Sequence, residues 1–123
     1  MARVSDRDGL AWYRASFGIA WAASAWFGLA PGDGEPGLPG VDKVEHLLGF
    51  AVLAVLLRWA WPALRVLPGA SLLFGWGVCI ELLQSQIPGR MASAADAAAD
   101  GAGIALGLLL VHGLKRLRSS LTR

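Results

Sequence analysis

Ionisable side chains recur at helical spacing within the apolar segments of this 123-residue chain. Asp42, Glu45 and His46 are spaced i, i+3 and i+4, and Glu81 and Gln84 are spaced i, i+3. Residues at these spacings share one face of a helix. An ionisable residue inside an apolar helix is costly in lipid, so it normally faces the interior of a bundle and marks a functional site.

Asp96 and Asp100 form a third group with helical spacing, at i and i+4. Lys43 and Arg90 are the basic residues near these groups. Arg and Lys hold phosphate or carboxylate groups, and His and Glu serve as general acids and bases. We therefore predict acid–base roles for His46, Glu81 and Asp96. The residues predicted to bind a ligand are Asp42, Lys43, Gln84, Arg90 and Asp100.

Structural roles compete with these assignments. Asp42 followed by Glu45, and Ser93 followed by Asp96, both fit the spacing of a capping box at a helix start. Glu81 cannot cap a helix start, because apolar residues precede it for two turns, but it could pair with Arg90 to hold a loop. Glu45 is expected to be solvated.

The composition indicates a membrane protein. The chain is 55% hydrophobic and 16% charged, with a mean hydropathy of +0.52, whereas a soluble domain is about 25% charged. Four apolar segments have about the 20 residues that a membrane-spanning helix needs. They cover residues 10–29, 43–61, 67–85 and 94–114.

The connections between these segments are short and rich in Pro and Gly, so neighbouring helices should run antiparallel. We predict an all-α, four-helix transmembrane bundle that forms one domain over residues 1–123. The fourth segment begins weakly, so a three-span or re-entrant arrangement is an alternative. The first segment has some features of a signal peptide, but three further apolar segments follow it.

The distribution of basic residues predicts the orientation of the bundle. Nine of the eleven Lys and Arg residues fall on one predicted side, and only Lys43 and Arg90 fall on the other. Cytoplasmic loops carry the excess of Lys and Arg, so both termini should be cytoplasmic. Seven of the nine acidic residues then lie at the outward end, namely Asp33, Glu35, Asp42, Glu45, Glu81, Asp96 and Asp100. The basic residues form no stripe on one face, which argues against nucleic acid as a partner.

Small residues suggest how the helices pack. Gly103 and Gly107 form a GxxxG pattern, which allows close helix packing within the monomer or in a homo-oligomer. The single cysteine, Cys79, lies in an apolar run and is expected to be a buried small side chain.

Four motifs in register resemble the VanZ-like family: DKVEH at 42–46, ELLQ at 81–84, RMASAAD at 90–96 and DGAG at 100–103. Asp100 stands where that family usually has Asn. The family is named for an accessory protein that raises resistance to the glycopeptide antibiotic teicoplanin. The resemblance implies a multi-pass protein of the bacterial cytoplasmic membrane with a function in the cell envelope.

Several functions fit these features. In the first, the outward pocket binds or modifies the headgroup of a membrane lipid or cell-wall precursor, with or without catalysis. In the second, His46, Glu81, Asp96 and Asp100 hold a divalent metal, although no dense His or Cys spacing assigns metal ligands. In the third, the polar residues only stabilise a scaffold that docks a partner. An ion-coupled transporter would require an oligomer. The sequence names no cofactor.

Overall fold

The computed structural model describes residues 6–32 and 37–122, and this part of the chain contains four helices and no strand. They are α1 (Asp6–Leu29), α2 (Val41–Ala60), α3 (Val66–Gln84) and α4 (Ala94–Leu121). The all-α prediction is confirmed, and each helix covers one predicted segment. Four residues counted in the charge argument lie outside the described residues: Arg3, Asp33, Glu35 and Arg123.

The main difference from the predicted boundaries is the length of α4. It is one continuous helix that runs beyond Leu114 to Leu121. The three-span or re-entrant arrangement stays an alternative. The extension contains Lys115, Arg116 and Arg118. Lys and Arg are good helix formers, and cations near the C-terminus interact favourably with the helix dipole.

The most extensive helix–helix interface joins α2 and α4. α1 packs against α2 and α3, and within the described residues it does not contact α4. Gly103 and Gly107 of α4 are both buried against α2. A Cβ atom added to Gly103 would lie 2.2 Å from the carbonyl oxygen of Leu47, and one added to Gly107 would lie 2.5 Å from that of Ala51. The GxxxG pattern therefore brings two backbones together within the monomer, as expected for small residues in membranes. The homo-oligomer stays a prediction.

The apolar core lies in the middle of the bundle. Its largest members come from all four helices and include Phe17, Phe50, Leu53, Leu73 and Ile104. Aromatic rings extend this core toward the start of α1. Phe17 packs edge-on against Trp21 and Trp61, in each case with ring centroids 5.3 Å apart.

Alternation of chain direction gives the bundle two chemically different ends. The basic end contains the starts of α1 and α3 and the ends of α2 and α4. There the Arg14 side chain donates to the carbonyl of Ala60, and Arg58 donates to that of Leu64. The acidic end contains the ends of α1 and α3 and the starts of α2 and α4. The residues that could do chemistry lie there.

The surface of the bundle is more apolar than parts of its interior. Ile19, Trp26, Phe27 and Leu109 are each about 70% exposed or more, whereas four polar side chains are buried. Two helices, α3 and α4, are long and apolar enough to cross a membrane. Cys79 was expected to be buried, but it is exposed on α3. A small thiol on an outer helix face needs no polar partner where the neighbouring solvent is lipid.

Candidate functional site

The acidic end brings together five of the predicted site residues, which we call the polar cluster: Lys43, His46, Glu81, Asp96 and Asp100. They belong to three helices and meet because α2 and α4 begin where α3 ends. Asp96 and Asp100 are 5% and 1% exposed, and Glu81 is 7% exposed. Buried charges of this kind are normally paired or bound to a ligand.

His46 lies at the centre of the polar cluster. Its Nδ1 atom is 2.7 Å from Oδ1 of Asp100, and its Nε2 atom is 3.8 Å from Oε1 of Glu81. An ionised carboxylate can only accept hydrogen bonds, so Nδ1 carries the proton when it donates to Asp100. In neutral His46 the Nε2 atom then has a free lone pair directed toward Glu81.

Lys43 forms a second pair within the polar cluster. Its ammonium nitrogen lies 2.6 Å from Oδ1 of Asp96 and 2.6 Å from Oδ2 of Asp42. Lys43 is 39% exposed and Asp96 only 7% exposed at the side chain, so the pair lies at the boundary between the interior and the outside of the bundle. An ammonium group has three donors. Two of them are occupied by Asp42 and Asp96, which leaves one for a ligand.

The turn before α4 fixes the position of Glu81. The backbone N–H of Ser93 donates to Oε2 of Glu81 at 3.0 Å. The hydroxyl of the same serine accepts a hydrogen bond from the backbone N–H of Asp96 at 3.0 Å, which makes Ser93 the N-cap of α4. The predicted capping by Ser93 is confirmed. The Asp96 carboxylate does not complete a capping box, because it is bound to Lys43.

Two oxygens of the polar cluster have no hydrogen-bond partner among residues 6–32 and 37–122. They are Oε1 of Glu81 and Oδ2 of Asp100, and both are buried. A buried acceptor without a partner costs about 1–3 kcal/mol, and more if it is charged. These two oxygens are therefore free to contact a ligand, as are the third donor of Lys43 and, in neutral His46, the Nε2 atom.

A single position on α3 makes room for the Asp100 carboxylate. Gly77 lies one helical turn before Glu81, and a Cβ atom there would lie 2.5 Å from Oδ2 of Asp100 and 3.1 Å from the ring of Phe50. No side chain other than hydrogen fits this space without displacing Asp100. Sequence reasoning missed Gly77 and the backbone of Ser93. The only available signal for Gly77 was its i, i+4 spacing from Glu81.

The electrostatic balance of the polar cluster is negative. Lys43 is engaged by Asp42 and Asp96, so Glu81 and Asp100 have only His46 to balance their charge. Donor atoms of His46, Glu81 and Asp100 all lie within 4.8 Å of one another, a spacing that a metal ion can bridge. The cluster therefore suits a cation, a hydrogen-bond donor or an anion that arrives with a cation.

Two predicted ligand-binding residues, Arg90 and Gln84, have structural contacts instead. Arg90 donates through Nε to the carbonyl of Ala30 at 2.9 Å, and through Nη2 to that of Phe27. Gln84 is 4% exposed and donates to the carbonyl of Gly28 at 2.7 Å. Both therefore satisfy carbonyl groups at the end of α1, where a helix leaves its last four acceptors unpaired. Within the described residues Arg90 forms no ion pair with Glu81.

Asp42 does not cap α2. The N-cap of this helix is Gly40, and no side chain bonds there, so the capping-box alternative for Asp42 is wrong. Asp42 lies in the first turn and pairs with Lys43. Glu45 is exposed, as expected.

An apolar groove lies beside the polar cluster. It has a volume of about 480 Å³ and runs between α3 and α4, lined by Ala70, Ser71, Phe74, Gly75, Gly101, Ile104, Ala105 and Leu108. No residue of the polar cluster lines the groove, but Gly101, at the end of the groove nearest the cluster, directly follows Asp100 in α4. From there it extends along both helices toward the basic end. The apolar groove and the polar cluster are thus neighbours along α4.

Comparison with known protein families gives a match over most of the chain. The model of the family described as VanZ/LLP1 matches residues 9–116 of the chain, which include all four helices almost entirely. No curated protein and no solved structure matches the chain significantly.

Proposed function

The chain belongs to the VanZ/LLP1 family, and we propose that it crosses the bacterial cytoplasmic membrane four times, with both termini in the cytoplasm. We also propose that its polar cluster lies on the outward side and binds or modifies the headgroup of an envelope lipid or cell-wall precursor. The link to teicoplanin resistance is part of this proposal.

The surface of the bundle supports a membrane location for all four helices. α3 and α4 are apolar enough by composition alone. α2 carries Lys43, Glu45 and Arg58, but these residues lie near its two ends, where side chains can reach the membrane surface. α1 presents exposed Ile19, Trp26 and Phe27. An exposed apolar surface around buried carboxylates is the pattern expected of a bundle in lipid.

The observation that carries the proposed function is the pair of unpartnered oxygens on Glu81 and Asp100. Interhelical polar contacts in membranes contribute only about 0.6 kcal/mol on average, so stability gives little reason to bury two carboxylates incompletely satisfied. A ligand that supplies donors or a cation would satisfy both oxygens. Glu81 and His46 would then also be placed to exchange a proton with it.

The position of the groove favours an amphiphilic ligand. Residues 101–108 of α4 extend about 10 Å along the groove from the polar cluster, at 1.5 Å per residue. An acyl or isoprenoid chain could lie in the groove while its headgroup contacts Lys43 and the buried carboxylates. A water-soluble ligand would have no use for the apolar part of this surface.

The scaffold alternative explains a different set of residues. Gln84 and Arg90 hold the end of α1, and this contact is sufficient reason for their presence. It does not explain why Glu81 and Asp100, which lie at the same end of the bundle but among the described residues do not bond to α1, are left with free oxygens. The two roles can therefore be separated by mutation.

The orientation can be tested with single cysteines. In a Cys79→Ser background, Met91→Cys places a thiol at a 90% exposed position of the acidic end, and Ser119→Cys places one near the end of α4. A membrane-impermeant maleimide should label position 91 in intact cells and position 119 only after permeabilisation. Labelling of position 119 in intact cells would contradict the proposed orientation.

The headgroup role can be tested by identifying lipids that remain bound to the protein. The full chain is purified from bacterial membranes in a mild maltoside detergent, and retained lipids are identified by mass spectrometry. We expect one lipid class to be retained by the unmodified chain and by Glu45→Gln, whose carboxylate is exposed and outside the polar cluster. It should be lost from Glu81→Gln and from Ala105→Trp, which fills the groove. Equal retention by all four proteins would refute the proposal.

Teicoplanin susceptibility of cells that express the same variants supplies a second readout. We expect the unmodified chain and Glu45→Gln to lower susceptibility, and Glu81→Gln to lose this effect at an unchanged protein level. Loss of the effect together with loss of the protein would instead support the scaffold alternative.

A further inference from the structure

The innermost part of the polar cluster carries uncompensated negative charge. Asp96 is paired with Lys43, so the remaining charged groups are the carboxylates of Glu81 and Asp100. Within the described residues no Lys or Arg pairs with either of them. Neutral His46 leaves this part of the site with two negative charges, and unpaired buried charge is strongly unfavourable.

The distances between the donor atoms fit a bound ion. Oε1 of Glu81 and Nε2 of His46 are 3.8 Å apart, which is too far for a hydrogen bond. Ligands held about 2.0–2.2 Å from one zinc ion are separated by roughly 3–3.5 Å, so a small closure would place both on the same ion. One donor atom from each of His46, Glu81 and Asp100 lies within 4.8 Å of the other two.

The groups around these three side chains resemble the outer shell of a metal site. Metal ligands are normally oriented by further hydrogen bonds, and such bonds fix both the tautomer of a histidine and the direction of a carboxylate. Here the Ser93 backbone N–H holds Oε2 of Glu81 and leaves Oε1 free. Gly77 leaves room for Oδ2 of Asp100, the second unpartnered oxygen, which lies close against α3.

We propose that the group of His46, Glu81 and Asp100 holds one divalent transition-metal ion, of which Zn²⁺ is the representative. Nε2 of His46 and Oε1 of Glu81 would bind the ion, and Asp100 would orient His46 through its hydrogen bond to Nδ1. The double positive charge equals the charge of the two carboxylates. An imidazole among the ligands favours zinc, iron, nickel or copper over magnesium, calcium and manganese, which prefer oxygen ligands. Asp96, which the sequence grouped with these residues, is excluded because it is bound to Lys43.

This ion would also explain how an acidic site receives an anionic headgroup. His46 and Glu81 alone leave open positions on the ion, as zinc sites that bind substrates do. A phosphate oxygen of the headgroup could occupy one such position, and the third donor of Lys43 could bind a second oxygen. This link rests on the proposed function, whereas the ion site itself does not.

The ion site is tested by titration of the purified full chain in maltoside detergent. The protein is treated with EDTA, desalted and titrated with ZnCl₂ in a calorimeter, and bound zinc is counted by elemental analysis. We expect one ion per chain. Glu81→Gln, Asp100→Asn and His46→Gln should each weaken binding by tenfold or more. His112→Gln, which changes the other histidine of the chain on an exposed part of α4, should bind as the unmodified protein does.

The unmodified chain alone can overturn the proposal, even if a variant fails to fold. Binding of less than one zinc ion per chain, or unchanged affinity in folded His46→Gln, would refute the ion site. Lipid analysis of the same samples separates the two proposals. Stoichiometric zinc without a retained lipid class would support the ion site and count against the headgroup role. A lipid retained equally with and without EDTA would show that the headgroup does not bind through the ion.

Discussion

Replacement of Gly103 by alanine should damage the polar cluster from a position outside it. The new Cβ atom would lie 2.2 Å from the carbonyl oxygen of Leu47, and an ordinary contact at this point is at least 3.4 Å. α2 and α4 must therefore separate by roughly 1 Å, because two helix backbones cannot yield as a flexible side chain does. Overpacking of this kind typically costs about 1–3 kcal/mol of unfolding free energy.

The same displacement reaches the site through neighbouring residues. Leu47 directly follows His46, and Gly103 lies less than one turn after Asp100. The 2.7 Å hydrogen bond between His46 and Asp100 joins the same two helices, so a separation of roughly 1 Å would stretch it beyond 3.5 Å. We expect Gly103→Ala to lower both the stability of the bundle and the affinity for Zn²⁺, the latter by about tenfold or more.

The assay compares Gly103→Ala with Gly113→Ala on the same helix, where an added Cβ atom meets nothing within 4 Å. Unfolding is followed by circular dichroism during titration with sodium dodecyl sulfate, and zinc binding by calorimetry. Gly113→Ala should be as stable as the unmodified chain or slightly more so, since alanine favours a helix over glycine by about 1 kcal/mol. Equal midpoints and equal zinc affinities for the two variants would refute the reasoning.

Three further predictions concern single contacts. Gly77→Ala should displace the Asp100 carboxylate and weaken zinc binding, whereas Gly75→Ala on the same helix should not; equal affinities would contradict the packing argument. Arg90→Ala should lower the unfolding free energy by about 1.5–3 kcal/mol, because carbonyls at the end of α1 lose a charged donor. Arg116→Ala is its exposed control, and a loss of zinc affinity without a loss of stability would show that Arg90 belongs to the ligand site. Ser93→Ala should cost about 1 kcal/mol as a lost N-cap and Ser93→Thr should restore most of it; an Ala variant as stable as the unmodified chain would contradict the cap.

The sequence predicted most of what depends on chain direction. Lengths of apolar segments and short Pro- and Gly-rich connections are local properties, and they were enough to place four antiparallel helices. Antiparallel order then brings the start of α2, the end of α3 and the start of α4 to one end, which is why His46, Glu81 and Asp100 were expected to meet.

What the sequence could not predict depends on the rotation of each helix about its axis. Glu81 and Gln84 were assigned to one face, yet side chains at i and i+3 still point about 60° apart on a helix of 3.6 residues per turn. That difference is enough to direct Glu81 to His46 and Gln84 to the end of α1. Arg90 lies in a loop, and its choice of backbone carbonyls over a carboxylate follows from the position of α1 rather than from any local pattern.

Charge type was also easier to predict than charge balance. The presence of Lys43 beside acidic residues suggested a site for phosphate, but the structure shows two of its donors already occupied. Among the described residues the carboxylates of Glu81 and Asp100 remain without a Lys or Arg partner, so the ligand first expected is a cation and not an anion. Charge balance depends on the actual pairs, since sequence spacing does not reveal which carboxylate each cation contacts.

The dual role of Ser93 has a consequence for how the protein is made. A nascent chain that has formed α2 and α3 already contains His46 and Glu81, but neither has its partner from the start of the last helix. When the first turn of α4 forms, the Ser93 hydroxyl caps the helix and the Ser93 backbone N–H binds Glu81. Formation of the same helix brings Asp96 and Asp100 into the polar cluster. Completion of the site is therefore tied to the folding of the final helix, and a ribosome-bound or C-terminally truncated chain that lacks α4 would contain His46 and Glu81 without a complete polar cluster.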